Sequence, residues 1–328
     1  MQKVSRVFFI LALGLLLFFA AGCGNANDAN EPNGPNGANG SNGIDDANGS
    51  ESQSFAELTD QMGRNVVIEA KPERIVSLSP SNTEMAFSIG LGSRIVGVTD
   101  FCDYPAEALE VEKIGGFSDP NMEIVYSLTP DLVLAGNAHE EQVNKLEELG
   151  IPVLVLAPES VEEVFAAMNL IAEATGASEA DKVITEITDR LALLEEKIST
   201  LSSQDRVQVY YEVYSDPLMT AGGKTLISEV ISIAGGDNIF TDVAEMYPQI
   251  SEETIIERDP SVIVIPNYHG FEGFDMEVIL DRPLWNEINA VKNERVFNIN
   301  ADAISRPGPR LIEAAETLAP IFHPELFD

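Results

Sequence analysis

From residue 55 onward, short runs of Val, Ile and Leu alternate with longer stretches of helical periodicity. Runs that short and that rich in β-branched residues read as buried strands. Their alternation with helices predicts an α/β architecture, two Rossmann-like lobes with mainly parallel sheets. In the first half the strand runs fall at 75–78, 95–98, 132–135 and 153–156, and in the second at 207–213, 262–265 and 296–299. After the first run, Ser81 or Asn82 can cap a helix carrying Met85, Phe87 and Ile89, which Gly90 and Gly92 end. The longest helical pattern lies between the halves. Ser160 opens one helix, with Glu163 at the capping-box position. A second, over 178–201, puts Val183, Ile184, Ile187, Leu191, Leu194, Ile198 and Leu201 on one face. At roughly 1.5 Å per residue it reaches about 35 Å, enough to join two lobes as a stiff connector. The same pattern also fits a peripheral helix of one lobe.

A weak internal repeat supports two related lobes. Glu123, Pro130 and the run at 132–135 recur in spacing as Glu253, Pro260 and the run at 262–265. Equivalent glutamates on two lobes would form a pseudo-symmetric acidic pair, legible to a two-fold partner with basic sockets. Each also suits the start of a helix on dipole grounds alone. His139 and His269 share an offset past Pro130 and Pro260, and a facing pair of imidazoles could hold a metal or a haem iron. A solvated loop histidine is the plainer reading of each.

The ends of the chain bear on compartment. Lys3 and Arg6, an apolar run from Phe8 to Ala21 and the small residues before Cys23 have the layout of a secretory signal over 1–22. The stretch ending in Cys23 resembles a bacterial lipobox, with Ala20 where Leu is usual, which implies lipid attachment to Cys23 and an extracytoplasmic, membrane-anchored protein. After Cys23, residues 24–54 are mostly Asn, Gly, Ser, Asp and Pro with almost nothing apolar, which makes 23–54 a lipid-anchored flexible tether by composition. The remainder is too long for one comfortable core and divides as a lobe over 55–158, a helical connector over 159–203 and a lobe over 204–328.

Charge and motifs remove whole classes of function. A formal net charge of −35 excludes nucleic acid as a partner, since phosphate binding needs a basic face. Cys102 has no partner for a disulfide once Cys23 is lipidated, and a buried thiol is expected there. Ala221-Gly222-Gly223-Lys224-Thr225 invites comparison with a phosphate loop, but Leu218 stands where the first glycine is required. No nucleophile elbow and no Cys-x-x-Cys or His-Glu-x-x-His is present, so an enzyme is not expected. Aromatic residues beside loop signals stand out instead: Tyr104, Phe117 and Tyr247, with Tyr210, Tyr211 and Tyr214 around one strand. Rigid rings at loop edges suit a wide, mostly apolar and weakly charged ligand.

Several motifs together carry a resemblance. Residues 74–84, Asp103-Tyr104-Pro105, Leu128 to Val133, Gly235 to Phe240, Tyr247 to Ser251 and Arg306-Pro-Gly-Pro-Arg310 resemble the substrate-binding proteins of vitamin B12 and iron-siderophore ABC importers. The likeness covers about 64–324 and is most like the cobalamin-binding branch. It implies two lobes joined by a long rigid helix, with the ligand held between them and little closure. It implies that Tyr104, Phe117 and Tyr247 line the cleft and that Asp302 and Arg306 hydrogen-bond the ligand's rim; Tyr211, from the aromatic group around one strand, is a further ligand-binding candidate. Glu123 and Glu253 align with the acidic residues that dock on arginines of the permease dimer. Phe117 and Tyr247 stand where the best-known cobalamin binder has tryptophans, and His139 and His269 are not part of its pattern. The expectation is a monomeric receptor delivering cobalamin or a related corrinoid to a permease dimer with ATPase subunits. It has no cofactor of its own, the cobalt corrinoid being its cargo. Haem or a ferric siderophore is the alternative cargo, and a surface-anchored sensor the alternative without transport.

Overall fold

Residues 54–267 and 276–327 are described by a computed structural model. The signal segment, Cys23, nearly all of the tether and His269 lie outside the described residues. The chain enters through a hairpin that periodicity did not single out, β1 (Ala56–Thr59) and β2 (Asn65–Ile68), paired antiparallel. A first sheet follows, built from β3 (Ile75–Ser77), β4 (Ile95–Val98), β5 (Leu132–Ala135) and β6 (Val153–Val155), all parallel in the order β4-β3-β5-β6. These strands are buried on both faces, which is why they read in sequence as unbroken apolar runs.

Helices α1 (Pro80–Ser88), α2 (Met122–Ser127) and α3 (Glu140–Glu148) connect them. The cap of α1 is Ser79, whose Oγ accepts the N–H of Asn82, so Ser81 and Asn82 lie inside the first turn rather than capping it. Pro80 explains the shift, since its fixed φ and missing donor suit the first helical position. The helix stops at Ser88, and Gly90 adopts φ +84 beyond it, as the glycine there implied.

Two helices form the connector, α4 (Val161–Thr175) and α5 (Ala180–Ile198). Ser160 caps α4 as expected, accepting the N–H of Glu163 at 3.1 Å. The carboxylate of Glu163 returns to the N–H of Glu159 rather than of Ser160, a residue short of a capping box. With 19 residues, α5 is about 28 Å long. It starts with Glu179 packed beside Gly90 of the first half and ends with the Lys197 ammonium over Phe327 of the second. The crossing arrangement therefore holds.

The second sheet contains β7 (Val207–Ser215), β8 (Leu218–Thr220), β9 (Gly236–Asn238), β10 (Val262–Asn267) and β11 (Val296–Asn300), in the order β11-β10-β7-β8 with β9 also on β7. Only β8 runs antiparallel. Its helices are α6 (Leu226–Ile233), α7 (Glu252–Arg258), α8 (Met276–Leu280), α9 (Asn289–Lys292), α10 (Ala301–Ser305) and α11 (Leu311–Phe322).

The apolar core is distributed differently from the expectation of separate lobes. One cluster runs from Leu58, Ile75 and Met85 through Val164, Ile171 and Ile187 to Val209, Ile227 and Leu318. It joins one face of each sheet through the buried sides of α4 and α5. Smaller clusters cover the opposite faces, one around Val76 and Val133, the other around Tyr210, Phe240, Ile263 and Trp285. Swinging the lobes apart at the connector would expose part of the shared cluster, so the joint is stiff for a physical reason beyond the helix itself.

The repeat seen in sequence extends to conformation. Both α2 and α7 open on a capping side chain, Asn121 and Ser251, and bury one residue, Val125 and Ile255. Both are followed by a residue forced to positive φ, Thr129 at 46 and Asp259 at 43, before Pro130 and Pro260 lead into β5 and β10.

Candidate functional site

Parallel sheets place ligand loops beyond the carboxyl ends of their strands, because successive connections diverge there. In the first half all four strands obey this. Ser79 to Asn82 after β3, Phe101 and Phe117 to Asp119 after β4, Gly136 and Asn137 after β5 and Leu156 to Glu159 after β6 line one cleft of about 840 Å³. The second half supplies the opposite wall from Leu226, Met246, Tyr247 and Ser305 to Pro307. On the rim Phe101, Met246 and Tyr247 stay exposed (58%, 46% and 44%), unusual for such bulky apolar residues unless something covers them. Burial of part of the ring pushes the Tyr247 phenol above its ordinary value, so it stays protonated and can donate.

The structure sorts the residues expected here. Phe117, Tyr247 and Arg306 reach the cleft. Tyr104 does not. It lines a separate cavity of about 870 Å³ with Phe87, Ile187 and Arg190, and the Arg310 guanidinium lies over its ring at 4.1 Å. Tyr211 is 1% exposed within the shared core, because its strand direction turns it away from the loops. The aromatic of the 100–105 loop that faces the cleft is Phe101, which sequence reasoning passed over. Its bulk in a loop directly after a strand, beside the buried Cys102, was the available signal. Cys102 itself is a buried thiol contacting Thr83 and Thr99 at 3.2 Å.

Asp302 and Arg306, expected on a ligand's rim, belong to a cluster that bridges the lobes. Glu84 of α1 accepts two bonds from Arg310, at 2.8 and 2.6 Å, and one from Arg306 at 3.1 Å. Arg306 also pairs with Asp103 at 2.7 Å and with Asp302 at 3.0 Å. Partial burial opposes ionisation of Asp103, but the bond and charge of Arg306 outweigh it and hold the carboxyl below its usual range.

His139 is buried, and its ring is already committed. Nδ1 accepts the N–H of Gly136 at 3.0 Å, so Nε2 carries the proton it gives to the Phe117 carbonyl at 2.8 Å. Phe117 packs edge-on at 4.9 Å. No lone pair remains for a metal, which removes the expected coordinating role from His139, and His269 lies outside the described residues. Among the described residues no group of His, Cys, Asp and Glu could hold a metal ion. The imidazole instead pins the Phe117 loop to the end of β5. His139→Ala is expected to cost about 1–3 kcal/mol, the desolvation of the two groups it leaves unpaired. Urea unfolding checks this; an unchanged midpoint would mean the pin carries no load.

Glu123 and Glu253 sit in the first turns of α2 and α7, both exposed to solvent. Hydrogen bonds from its own N–H and from Ser251 draw the Glu253 carboxyl below its ordinary value. The Gly222-Gly223 pair serves packing: a Cβ at either would fall within 2.0 or 2.5 Å of the carbonyls of Glu245 and Thr241. Thr225 then caps α6. Near the end of the chain, His323 packs under Gly235, with Nε2 2.9 Å from its carbonyl.

Two lobes clasping a cleft at the carboxyl ends of parallel strands define a class of binding protein. A family model described as periplasmic binding protein matches residues 75–303, and the chain belongs to that family. It is 33% identical, over 100% of this chain and 99% of the relative, to the uncharacterized ABC transporter substrate-binding lipoprotein YvrC of Bacillus subtilis. It is 32% identical to the vitamin B12-binding protein of Vibrio parahaemolyticus, covering 74% of this chain and 86% of that one. Among solved structures, the periplasmic vitamin B12 binding protein BtuF of Vibrio cholerae superposes with a TM-score of 0.65 at 29% identity, over 76% of this chain and 96% of that chain. Among the described residues no helix is long and apolar enough to cross a membrane.

Proposed function

We propose that this protein is the solute receptor of an ABC importer and that its cargo is cobalamin or a related corrinoid. The observation that carries the reading is the cleft, rimmed by exposed apolar side chains from both lobes and poor in free cations. A corrin is broad and flat with a fringe of neutral amides, so ring contact and scattered hydrogen bonds hold it better than charge. The likeness to B12-binding relatives supports the same reading. In this account Cys23 carries the lipid that keeps the receptor at the outer side of the cell membrane. The cobalt belongs to the cargo, not to a resident cofactor. The protein captures and releases its solute without chemistry, and Glu123 and Glu253 meet the permease dimer. Haem is the weaker cargo, since His139 has no free nitrogen to offer its iron.

Calorimetry with cyanocobalamin on the full chain should give a dissociation constant in the micromolar range or tighter. Phe101→Ala and Tyr247→Ala should each weaken it about tenfold, the scale of a buried aromatic anchor. Absence of heat at micromolar protein, or ring deletions without effect, would overturn the corrinoid assignment.

A further inference from the structure

Arg306 is the one arginine or lysine among the described residues that line the cleft. Its guanidinium is already spent. Nη1 meets Asp103 at 2.7 Å and Glu84 at 3.1 Å, Nη2 meets Asp302 at 3.0 Å and points at the Phe101 carbonyl at 3.4 Å. Behind it Arg310 is forked onto Glu84 and covered by Tyr104. Three carboxylates thus surround two guanidiniums, and the other charged side chains lining the cleft, Asp119 and Glu159, are acidic as well. A cation ringed at hydrogen-bond distance by opposite charges projects little positive potential towards a guest. A carboxylate entering here would have to displace Asp103 or Asp302 from bonds that are themselves charge-assisted.

We infer that Asp103 and Asp302 determine specificity: by neutralising Arg306 they make the cleft choose uncharged solutes over carboxylate-bearing ones of the same shape. The inference rests on reading the interlobe cleft as the solute site. Asp103→Asn, alone and with Asp302→Asn, tests it in the full chain through two independent measurements.

The first needs no ligand. Phenylglyoxal attacks free guanidinium groups, and mass spectrometry of the peptide spanning Arg306-Pro-Gly-Pro-Arg310 locates the adduct. Modification of Arg306 should accelerate severalfold in the double variant, while Arg310, still held by Glu84, stays slow as an internal reference. An unchanged rate at Arg306 would overturn the inference whatever the cleft binds. The second compares cyanocobalamin with its monocarboxylate, in which one propionamide has been hydrolysed. The ratio of the two dissociation constants should move towards the acid by about tenfold in the double variant, the worth of one charge-assisted hydrogen bond. A constant ratio would overturn the inference. A wild-type protein that binds neither corrinoid removes the corrinoid reading alone; the ratio is then read on haemin and its dimethyl ester, with the phenylglyoxal rate still decisive. A merely structural role for the two aspartates would weaken both members of a pair and could not produce a gain for the acid.

Discussion

Replacing Glu84 by Gln is expected to destabilise the protein by about 3–5 kcal/mol, the cost of stripping a buried ion pair of one partner. The carboxylate is 1% exposed and takes a forked pair of bonds from Arg310 and a third from Arg306. Glutamine can accept through one oxygen only, which leaves Arg310 buried with its charge uncompensated. Urea unfolding followed by the fluorescence of Trp285, the single tryptophan of the chain, gives the measurement. Glu84→Met combined with Arg310→Met should cost less than the single change, because an apolar pair of similar volume has no charge to desolvate. If the double variant is the less stable of the two, the buried pair contributes net stability and the argument from desolvation is wrong. A single-variant loss under about 1 kcal/mol would class the contact with exposed pairs. The bond joins residues 226 apart, from α1 in one lobe to the start of α11 in the other, so it also bears on how the lobes are held.

Reversing both glutamates proposed to meet the permease, Glu123→Arg with Glu253→Arg, is expected to abolish uptake while leaving the affinity for solute unchanged. Neither residue lines the cleft, and both stand in solvent at equivalent first turns. Arginine at a helix start opposes the dipole by about 0.3–1 kcal/mol, too little to unfold either lobe. Against the basic sockets proposed on the permease it would replace attraction with repulsion at both glutamates. Transport into proteoliposomes carrying permease and ATPase, read beside calorimetry on the free receptor, separates the two effects. Lost affinity would place the glutamates in the solute site, and full uptake would remove them from the interface.

The strand runs were legible in the sequence because a parallel strand covered on both faces must be apolar at every position. The signal survives without knowledge of partners. The helix starts at Ser160 and the repeat at Glu123 and Glu253 were legible for a related reason, since capping and turn chemistry act within a few residues. The hairpin β1–β2 was not, its four-residue strands being too short and too mixed to stand out. Local pattern also could not show that α4 and α5 weld the two halves into one core, because an amphipathic face records that it is covered and not by what.

What the sequence by itself determined is the alternation of elements, the long helical pattern between the halves and the loops that border the cleft. Tertiary structure alone decided which side chains of those loops and of the strands beside them face the cleft. Phe101 rather than Tyr104 turns into the cleft, Tyr211 turns into the core, and Arg306 is consumed by Glu84, Asp103 and Asp302. The reason is physical. Secondary structure follows from interactions between neighbours along the chain, whereas the direction of a loop side chain is set by charges and surfaces that folding brings from distant positions.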